Sequence, residues 1–251
     1  MSRVRASIAL LVPVLLIAGC GGSSDPAYAP PTLVNVIADE AIRQPMIYMK
    51  GSWDASHQER IVFTFGPTPD MVARVRAGQG GDILVTDDLD VMTQAKTDGV
   101  LAADPVAVAT NRIVLGVPTE SPIASLGDLD GTRWVACTPA TSCGVTTQAL
   151  MEENAFRGHA YQRLEPMEIL GRVTSGRAAA GFMWASEAAE TAADSLIRTV
   201  EVPGSTDNLV TYYIAPLAGS PHSDAAAAFV AFATSAEGKR LIRQGGFTLP
   251  S

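Results

Sequence analysis

The chain has 251 residues, of which 47% are hydrophobic and 18% charged, so it can bury a full core and is not intrinsically disordered. Acidic residues outnumber basic ones by 26 to 18, which gives a formal net charge of −8. Proteins that bind nucleic acid need a basic face that neutralises phosphates, so this charge excludes nucleic acid as the main partner. The three His and three Cys are not at metal-ligand spacing, which excludes a zinc module and predicts no bound metal.

The N-terminus has the composition of an export signal. Two arginines precede an apolar run over residues 8–17, which is shorter than the roughly 20 residues of a membrane-spanning helix. The run leads into Ile-Ala-Gly-Cys at 17–20, which resembles the bacterial lipobox, a signal whose cysteine is lipidated. We therefore expect a signal peptide over residues 1–19 and a lipid on Cys20 that anchors the protein to the outer face of the cytoplasmic membrane. The alternative is an ordinary signal peptide with an incidental cysteine.

The segment that follows is a predicted tether, and strand and helix patterns alternate after it. Residues 20–31 are small, polar and rich in proline, so they lack the side chains to form a core. Hydrophobic patterning then predicts, in chain order, strand 33–38, helix 39–56, strand 61–65, helix 71–77, strand 82–85 and a helix that begins at Asp87 and Asp88. Alternation of this kind is typical of a parallel sheet with helices on both faces.

The pattern then starts again. The predicted elements are strands 113–117 and 133–137, helices 145–154 and 167–173, strand 178–184, an Ala-rich segment 186–193, strands 199–202 and 212–217, and helices 223–233 and 236–244. Ligands of α/β proteins bind where strands end and helices begin, so two such units in succession favour two lobes with a ligand cleft.

Several segments are similar, in order along the whole body, to the molybdate-binding proteins of bacterial ABC importers. They are residues 34–38, 63–68, 81–87, 109–115, 121–129, 175–188 and 225–247. The resemblance implies the periplasmic-binding-protein type II fold, an α/β fold of two lobes, each with a mostly parallel sheet flanked by helices. One lobe would comprise residues 32–112 and 203–251, and the other residues 113–202.

The resemblance also implies a function. It implies a monomeric solute-binding lipoprotein outside the cytoplasm, which captures a tetrahedral oxyanion (molybdate or tungstate) between its lobes and delivers it to an ABC permease in the membrane. Neither a cofactor nor an enzymatic activity is expected, and the sequence carries no G-x-S-x-G, phosphate-loop or H-E-x-x-H motif. The alternatives are the same fold with a different small ligand, or a surface lipoprotein without a role in transport.

A dehydrated oxyanion needs hydrogen-bond donors, which backbone N–H groups at helix starts and side-chain hydroxyls supply. Carried over from the family, five ligand-binding positions fall at Ala41, Thr68, Cys143, Met167 and Trp184. Thr68 keeps a hydroxyl where the family has Ser, although a Thr at a helix start is often only a cap.

Other positions depart from the family. Ala41 stands where the family has a Ser and offers only its N–H, and Trp184 stands where the family has a Tyr. If the fourth position is Pro166 instead of Met167, it has no N–H to donate. A larger or less charged ligand, with Trp184 as a stacking face, is therefore the alternative. Trp184 packed in the core or at the hinge is the other interpretation.

Asp39 and Glu40 lie next to the first expected donor. Two carboxylates beside an anion repel it unless they point away or carry a proton. They are interpreted either as a solvated first turn or as a subsite for a cation or amine.

The remaining polar residues have simpler interpretations. Cys137 and Cys143 flank a loop between a strand and a helix, which in an exported protein predicts a disulfide. A redox or metal pair is the alternative, but it lacks both the CxxC spacing and histidine partners. Asp87 and Asp88 are interpreted as a solvated helix start, and the three histidines as exposed surface residues.

Overall fold

The structure is a computed structural model that describes residues 30–190 and 196–250. The predicted signal peptide, Cys20 and nearly all of the predicted tether lie outside these residues, as does the end of the Ala-rich segment. None of the helices in the described residues is long and apolar enough to cross a membrane.

The described residues form ten strands and eight helices. The strands are β1 (Leu33–Asp39), β2 (Arg60–Gly66), β3 (Ile83–Thr86), β4 (Val106–Asn111), β5 (Ile113–Pro118), β6 (Trp134–Cys137), β7 (Gln162–Leu164), β8 (Ala180–Trp184), β9 (Ile197–Val200) and β10 (Val210–Pro216). The helices are α1 (Arg43–Ser56), α2 (Thr68–Arg76), α3 (Leu89–Thr97), α4 (Ser142–Glu153), α5 (Pro166–Thr174), α6 (Ala185–Glu190), α7 (Ser223–Thr234) and α8 (Ala236–Gln244). Two short 3-10 turns cover Glu40–Ile42 and Leu126–Leu129.

The strands form two sheets, each of five strands. The first has the order β2-β1-β3-β10-β4 and the second the order β7-β6-β8-β5-β9. In the first sheet only β10 is antiparallel to its neighbours, and in the second only β5 is. The predicted α/β fold with a mostly parallel sheet in each half is therefore confirmed.

Each sheet buries its own apolar side chains. One face of the first sheet packs on α1, α7 and α8, where the rings of Trp53 and Phe229 meet edge to face at 5.3 Å. Its other face packs on α2 and α3 through Leu84 and Met92, both fully buried. The second sheet has a separate cluster in which the ring centroids of Trp134 and Phe182 lie 5.5 Å apart. Side chains of this size each contribute on the order of 1.5–3 kcal/mol when they are fully buried.

Helices α2 and α4 each begin three residues earlier than predicted, because their first turns carry few apolar residues. Helix α2 begins at Thr68, after Pro67 in an extended conformation. Helix α4 begins at Ser142, where the Thr141 hydroxyl accepts a hydrogen bond from the Gly144 N–H at 3.1 Å. Strands β4 and β7 were not predicted, and β7 is only three residues long at the edge of its sheet.

The chain passes between the sheets twice. Strand β4 ends at Asn111 and β5 begins at Ile113, and the segment from 201 to 209 leads back from β9 to β10. Arg112 joins the two crossings, because its guanidinium lies 2.8 Å from both carboxylate oxygens of Glu201. The predicted lobe limits at residues 112 and 203 fall at these crossings and stay a prediction of domain boundaries.

One of the three histidines differs from expectation. His57 and His159 are exposed, as expected, and His57 stacks on Trp53. His222 is half-buried, and its Nδ1 lies 3.3 Å from a carboxylate oxygen of the buried Asp82. The sequence prediction was wrong for His222 because its partner lies 140 residues away along the chain.

Candidate functional site

A cleft of about 870 Å³ lies where the two sheets present their strand ends and the adjacent helices begin. It is lined by Asp39 at the end of β1 in the first sheet and by Trp184 at the end of β8 in the second sheet. The first turns of α2, α3, α4 and α5 complete its walls. A volume of this size accommodates a small organic molecule.

All five predicted ligand-binding positions line this one cleft: Ala41, Thr68, Cys143, Met167 and Trp184. They lie together because strands of a mostly parallel sheet end at a common edge, and the helices that follow begin there. Pro166 lines the cleft as well, next to Met167.

Asp39 lies at the centre of the hydrogen bonds on the first wall. Its Oδ1 accepts a hydrogen bond from the Ala41 N–H at 2.9 Å. Its Oδ2 accepts two from Thr68, one from the N–H at 3.2 Å and one from the hydroxyl at 2.9 Å. The carboxylate is almost fully buried. The donors that Ala41 and Thr68 were predicted to offer a ligand are therefore directed at a carboxylate of the protein itself.

Asp87 is the second carboxylate of this network, and it was wrongly interpreted as part of a solvated helix start. Its Oδ1 lies 2.8 Å from the Thr68 hydroxyl, and its Oδ2 accepts a hydrogen bond from the Ser142 hydroxyl at the start of α4. The side chain is half-buried because it reaches across the cleft towards α4. Asp88 does cap a helix as expected, since it accepts a hydrogen bond from the Val91 N–H at 3.0 Å.

The Thr68 hydroxyl carries one proton but contacts both carboxyl groups, which we call the carboxylate pair (Asp39 and Asp87). Thr68 can donate to only one of them, so the other contact is a hydrogen bond only when that carboxyl group is itself protonated. Burial is the largest cause that raises the pKa of Asp39, and the negative charge of Asp87 is the second; against the hydrogen bonds from Ala41 and Thr68 that lower it, the pKa reaches about 7. A proton therefore resides on Asp39 for much of the time near neutral pH.

The opposite wall is held by a disulfide. Cys137 at the end of β6 is bonded to Cys143 in the first turn of α4, and the two Cα atoms lie 5.7 Å apart. A Cβ at Gly144 would collide with the carbonyl oxygen of Thr138, so the loop and the helix start are in direct contact. Ser142 and Cys143 both line the cleft and lie in the first turn, whose N–H groups have no acceptor within the helix.

The remaining predicted positions form part of the cleft wall and contribute few hydrogen-bond donors to it. Pro166 is the first residue of α5 and has no N–H, whereas Met167 follows it with 65% of its side chain exposed. Trp184 is almost fully buried, but it lies in the wall of the cleft.

The cleft is acidic. Five carboxylates line it, from Asp39, Glu40, Asp87, Asp88 and Asp90. Arg76 is the one base among the described residues that line it, and its guanidinium lies 3.5 Å from the Asp98 carboxylate outside the lining. The helix starts contribute partial positive charge, but several of these carboxylates lie at those same starts and offset it. In the described part of the chain, no group of three or more His, Cys, Asp or Glu side chains could hold a metal ion.

Comparisons with known proteins agree with this architecture. The family model described as a bacterial extracellular solute-binding protein matches residues 34–248. The molybdate-binding protein ModA of Mycobacterium tuberculosis H37Rv is 27% identical over 254 residues, which cover 96% of this chain and 97% of that protein.

Two solved structures show the same fold. The periplasmic molybdate-binding protein of Azotobacter vinelandii superposes with a TM-score of 0.73 at 13% identity, over 87% of this chain and 100% of that one. The sulfate-binding protein SubI of Mycobacterium tuberculosis H37Rv has a TM-score of 0.68 at 17% identity, over 86% of each chain. Since the family model spans nearly all of the described residues, the chain belongs to the bacterial extracellular solute-binding proteins.

Proposed function

We propose that this chain is the solute-binding component of an ABC importer, which holds a small ligand in the cleft and delivers it to a membrane permease. The observation that carries this proposal is that elements of both sheets line a single cleft. A ligand that contacts both walls favours the conformation in which they are close together, and a permease can recognise that conformation. The protein acts by binding and not as an enzyme.

The proposal includes export and anchoring through Cys20. A lipid on this residue, followed by the tether, would hold the body at the outer face of the cytoplasmic membrane. The test is to express the full chain and the variant Cys20→Ala in a bacterium and to separate membranes from medium. We expect the parent protein in the membrane fraction and the variant in the soluble fraction. Equal distribution of the two proteins contradicts the anchor.

Molybdate or tungstate is the ligand that the sequence relationship favours. The relative from Mycobacterium tuberculosis and the structural neighbour from Azotobacter vinelandii both carry molybdate-binding names. Isothermal titration of the mature protein with molybdate, tungstate, sulfate and phosphate tests this candidate. Binding of molybdate or tungstate in preference to sulfate and phosphate supports it, and no heat with any of the four contradicts it.

A specific observation favours a second class of ligand. Three donors that would hold an oxyanion, on Ala41 and Thr68, are already hydrogen-bonded to Asp39. An oxyanion at this wall has to displace the carboxylate, and each donor lost from a buried charged ligand costs about 1–3 kcal/mol.

A further inference from the structure

Resting on the proposed solute-binding function, we propose that the ligand of this cleft is a small organic cation, an amine or quaternary ammonium group on an apolar body. The carboxylate pair would receive the cationic group, and the apolar side chains of Leu89, Val145 and Met167 would receive the rest of the molecule.

The hydrogen-bond capacity of the carboxylate pair is only partly used. A carboxylate offers about four acceptor positions on its two oxygens. Asp39 receives three hydrogen bonds from Ala41 and Thr68, and Asp87 is contacted by the hydroxyls of Thr68 and Ser142. Acceptor positions therefore remain on both carboxylates, whereas the donors of Ala41 and Thr68 on this wall are used. The wall is complementary to a ligand that donates hydrogen bonds.

The charge of the lining also favours a cation. Five carboxylates line the cleft, and the one lining base, Arg76, already has the partner Asp98. Unit charges that lie in contact near a protein surface interact strongly, so the lining attracts a cation and repels an anion. A cation next to the carboxylate pair also relieves the repulsion between Asp39 and Asp87. A shared proton relieves the same repulsion when no ligand is bound.

The size and surface of the cleft suit an organic molecule. The cleft measures about 870 Å³, which is ample for an organic molecule and far larger than a five-atom oxyanion fills. Its other lining residues include Met167, Leu89 and Val145, whose exposed side chains offer apolar contact.

The test uses the mature protein and two matched series of probes at pH 8. Each series keeps one apolar skeleton, benzyl or cyclohexyl, and varies its polar group as ammonium, alcohol or carboxylate. Molybdate and tungstate form a third series. Thermal shift and isothermal titration measure binding. We expect the ammonium compounds to raise the melting temperature and to bind at least tenfold more tightly than the alcohols, whereas the carboxylates and oxyanions do not bind.

Variants locate the binding group. Asp39→Asn and Asp87→Asn each remove one charge of the carboxylate pair, and each should weaken the ammonium probes about tenfold. Asp224→Asn removes the same charge from the exposed start of α7, outside the lining of the cleft, and should change binding no more than about twofold. Equal losses in all three variants overturn the assignment to the carboxylate pair. Because Asp87 is only half-buried, its variant remains informative if Asp39→Asn does not fold.

The outcomes separate this inference from the proposed function. Tight binding of molybdate, tungstate or a carboxylate probe by the parent protein overturns the cationic ligand and leaves the solute-binding function standing. Binding of the alcohols as tightly as the ammonium compounds also overturns the cationic ligand alone. If no compound of any series binds the parent protein, both proposals fail.

Discussion

The N–H and the hydroxyl of Thr68 both lie within hydrogen-bond distance of a single oxygen of Asp39, at 3.2 Å and 2.9 Å. The two residues lie 29 positions apart, one at the end of β1 and the other at the start of α2. Their contact joins the ends of neighbouring elements at the floor of the cleft. It also determines which chemical groups of that floor remain available to a ligand.

The first prediction concerns the Thr68 hydroxyl. Thr68→Val keeps the shape of the side chain but removes the hydroxyl from between two carboxyl groups, so we expect the free energy of unfolding to fall by about 1–3 kcal/mol. Thr68→Ser keeps the hydroxyl and loses one methyl group, for about 1 kcal/mol. Urea unfolding at pH 7 measures both. Equal losses in the two variants would show that the hydroxyl contributes nothing.

The second prediction concerns pH. The pKa of Asp39 is about 7 in the folded protein, against an ordinary value of 3.8 for an aspartate. Burial is the main cause, and the negative charge of Asp87 is the second. The folded state therefore binds more protons than the unfolded state between these two values, so this residue makes stability fall as pH rises through that window. We expect Asp39→Asn to remove this decline. We compare the free energy of unfolding of the variant with that of the parent at each pH. From pH 5 to pH 8 this difference should shift in favour of the variant by on the order of 1–3 kcal/mol.

The measurement for Asp39 is chemical unfolding of the parent and the variant at half-unit steps from pH 4.5 to pH 8.5. Other groups of the cleft act on Asp39, above all Asp87 and Glu40, and both are present in the parent and in the variant. Asp90→Asn serves as the control, since this exposed carboxylate should leave the difference between pH 5 and pH 8 unchanged. If the stability of the parent protein and that of Asp39→Asn vary with pH in the same way, the raised pKa assigned to Asp39 is wrong.

The third prediction concerns the disulfide between Cys137 and Cys143, which are six positions apart. The entropy of so short a loop is worth about 2 kcal/mol in the chain-entropy model. We expect the double variant Cys137→Ser, Cys143→Ser to lose about this much stability. It should also bind cleft ligands more weakly, because Cys143 and Ser142 line the wall. Chemical unfolding and ligand titration are measured with and without a reducing agent. The parent protein should lose stability and ligand binding only when the disulfide is reduced.

The fourth prediction compares two glycines that both lie in helices. At Gly144 a Cβ would collide with the backbone of Thr138 and Pro139, so Gly144→Ala should cost at least 2 kcal/mol. At Gly171 in α5 nothing lies within 4 Å of a Cβ, so Gly171→Ala should stabilise the protein by up to about 1 kcal/mol through helix propensity. Thermal unfolding of the two variants gives shifts of opposite sign. A stable Gly144→Ala protein would mean that the loop is not in tight contact with α4.

Much of the fold could be predicted from the sequence, because buried strands are short apolar runs that local patterning identifies. Strand β3 (Ile83–Thr86) and strand β5 (Ile113–Pro118) are examples in which nearly every side chain is buried. The place of β10 between β3 and β4 could not be predicted in this way, since its pairing joins residues more than 95 positions apart. Local patterns carry no information about such partners.

In the candidate site, too, some features could be predicted from the sequence and others depend on residues far away along the chain. Thr68 and Trp184 were predicted as ligand-binding positions from the resemblance to a known family, and both line one cleft in the structure. What Asp87 does could not be predicted, because its contact with Ser142 spans 55 positions and crosses the cleft. The only signal in the sequence is its position immediately after β3. Asp39 was recognised as an obstacle to an anion, but the direction of its side chain depends on the turn that follows it.

The position of β10 in the middle of the first sheet has a consequence for the order of assembly. Residues 113–200, which supply the whole second sheet, are contiguous and can associate as soon as they have been synthesised. The first sheet begins 80 residues earlier, yet β3 and β4 have no common neighbour until residues 210–216 arrive. A chain emerging from a ribosome or a translocation channel must therefore keep its N-terminal third incomplete, with apolar edges open to chaperones, until almost its last residues are through.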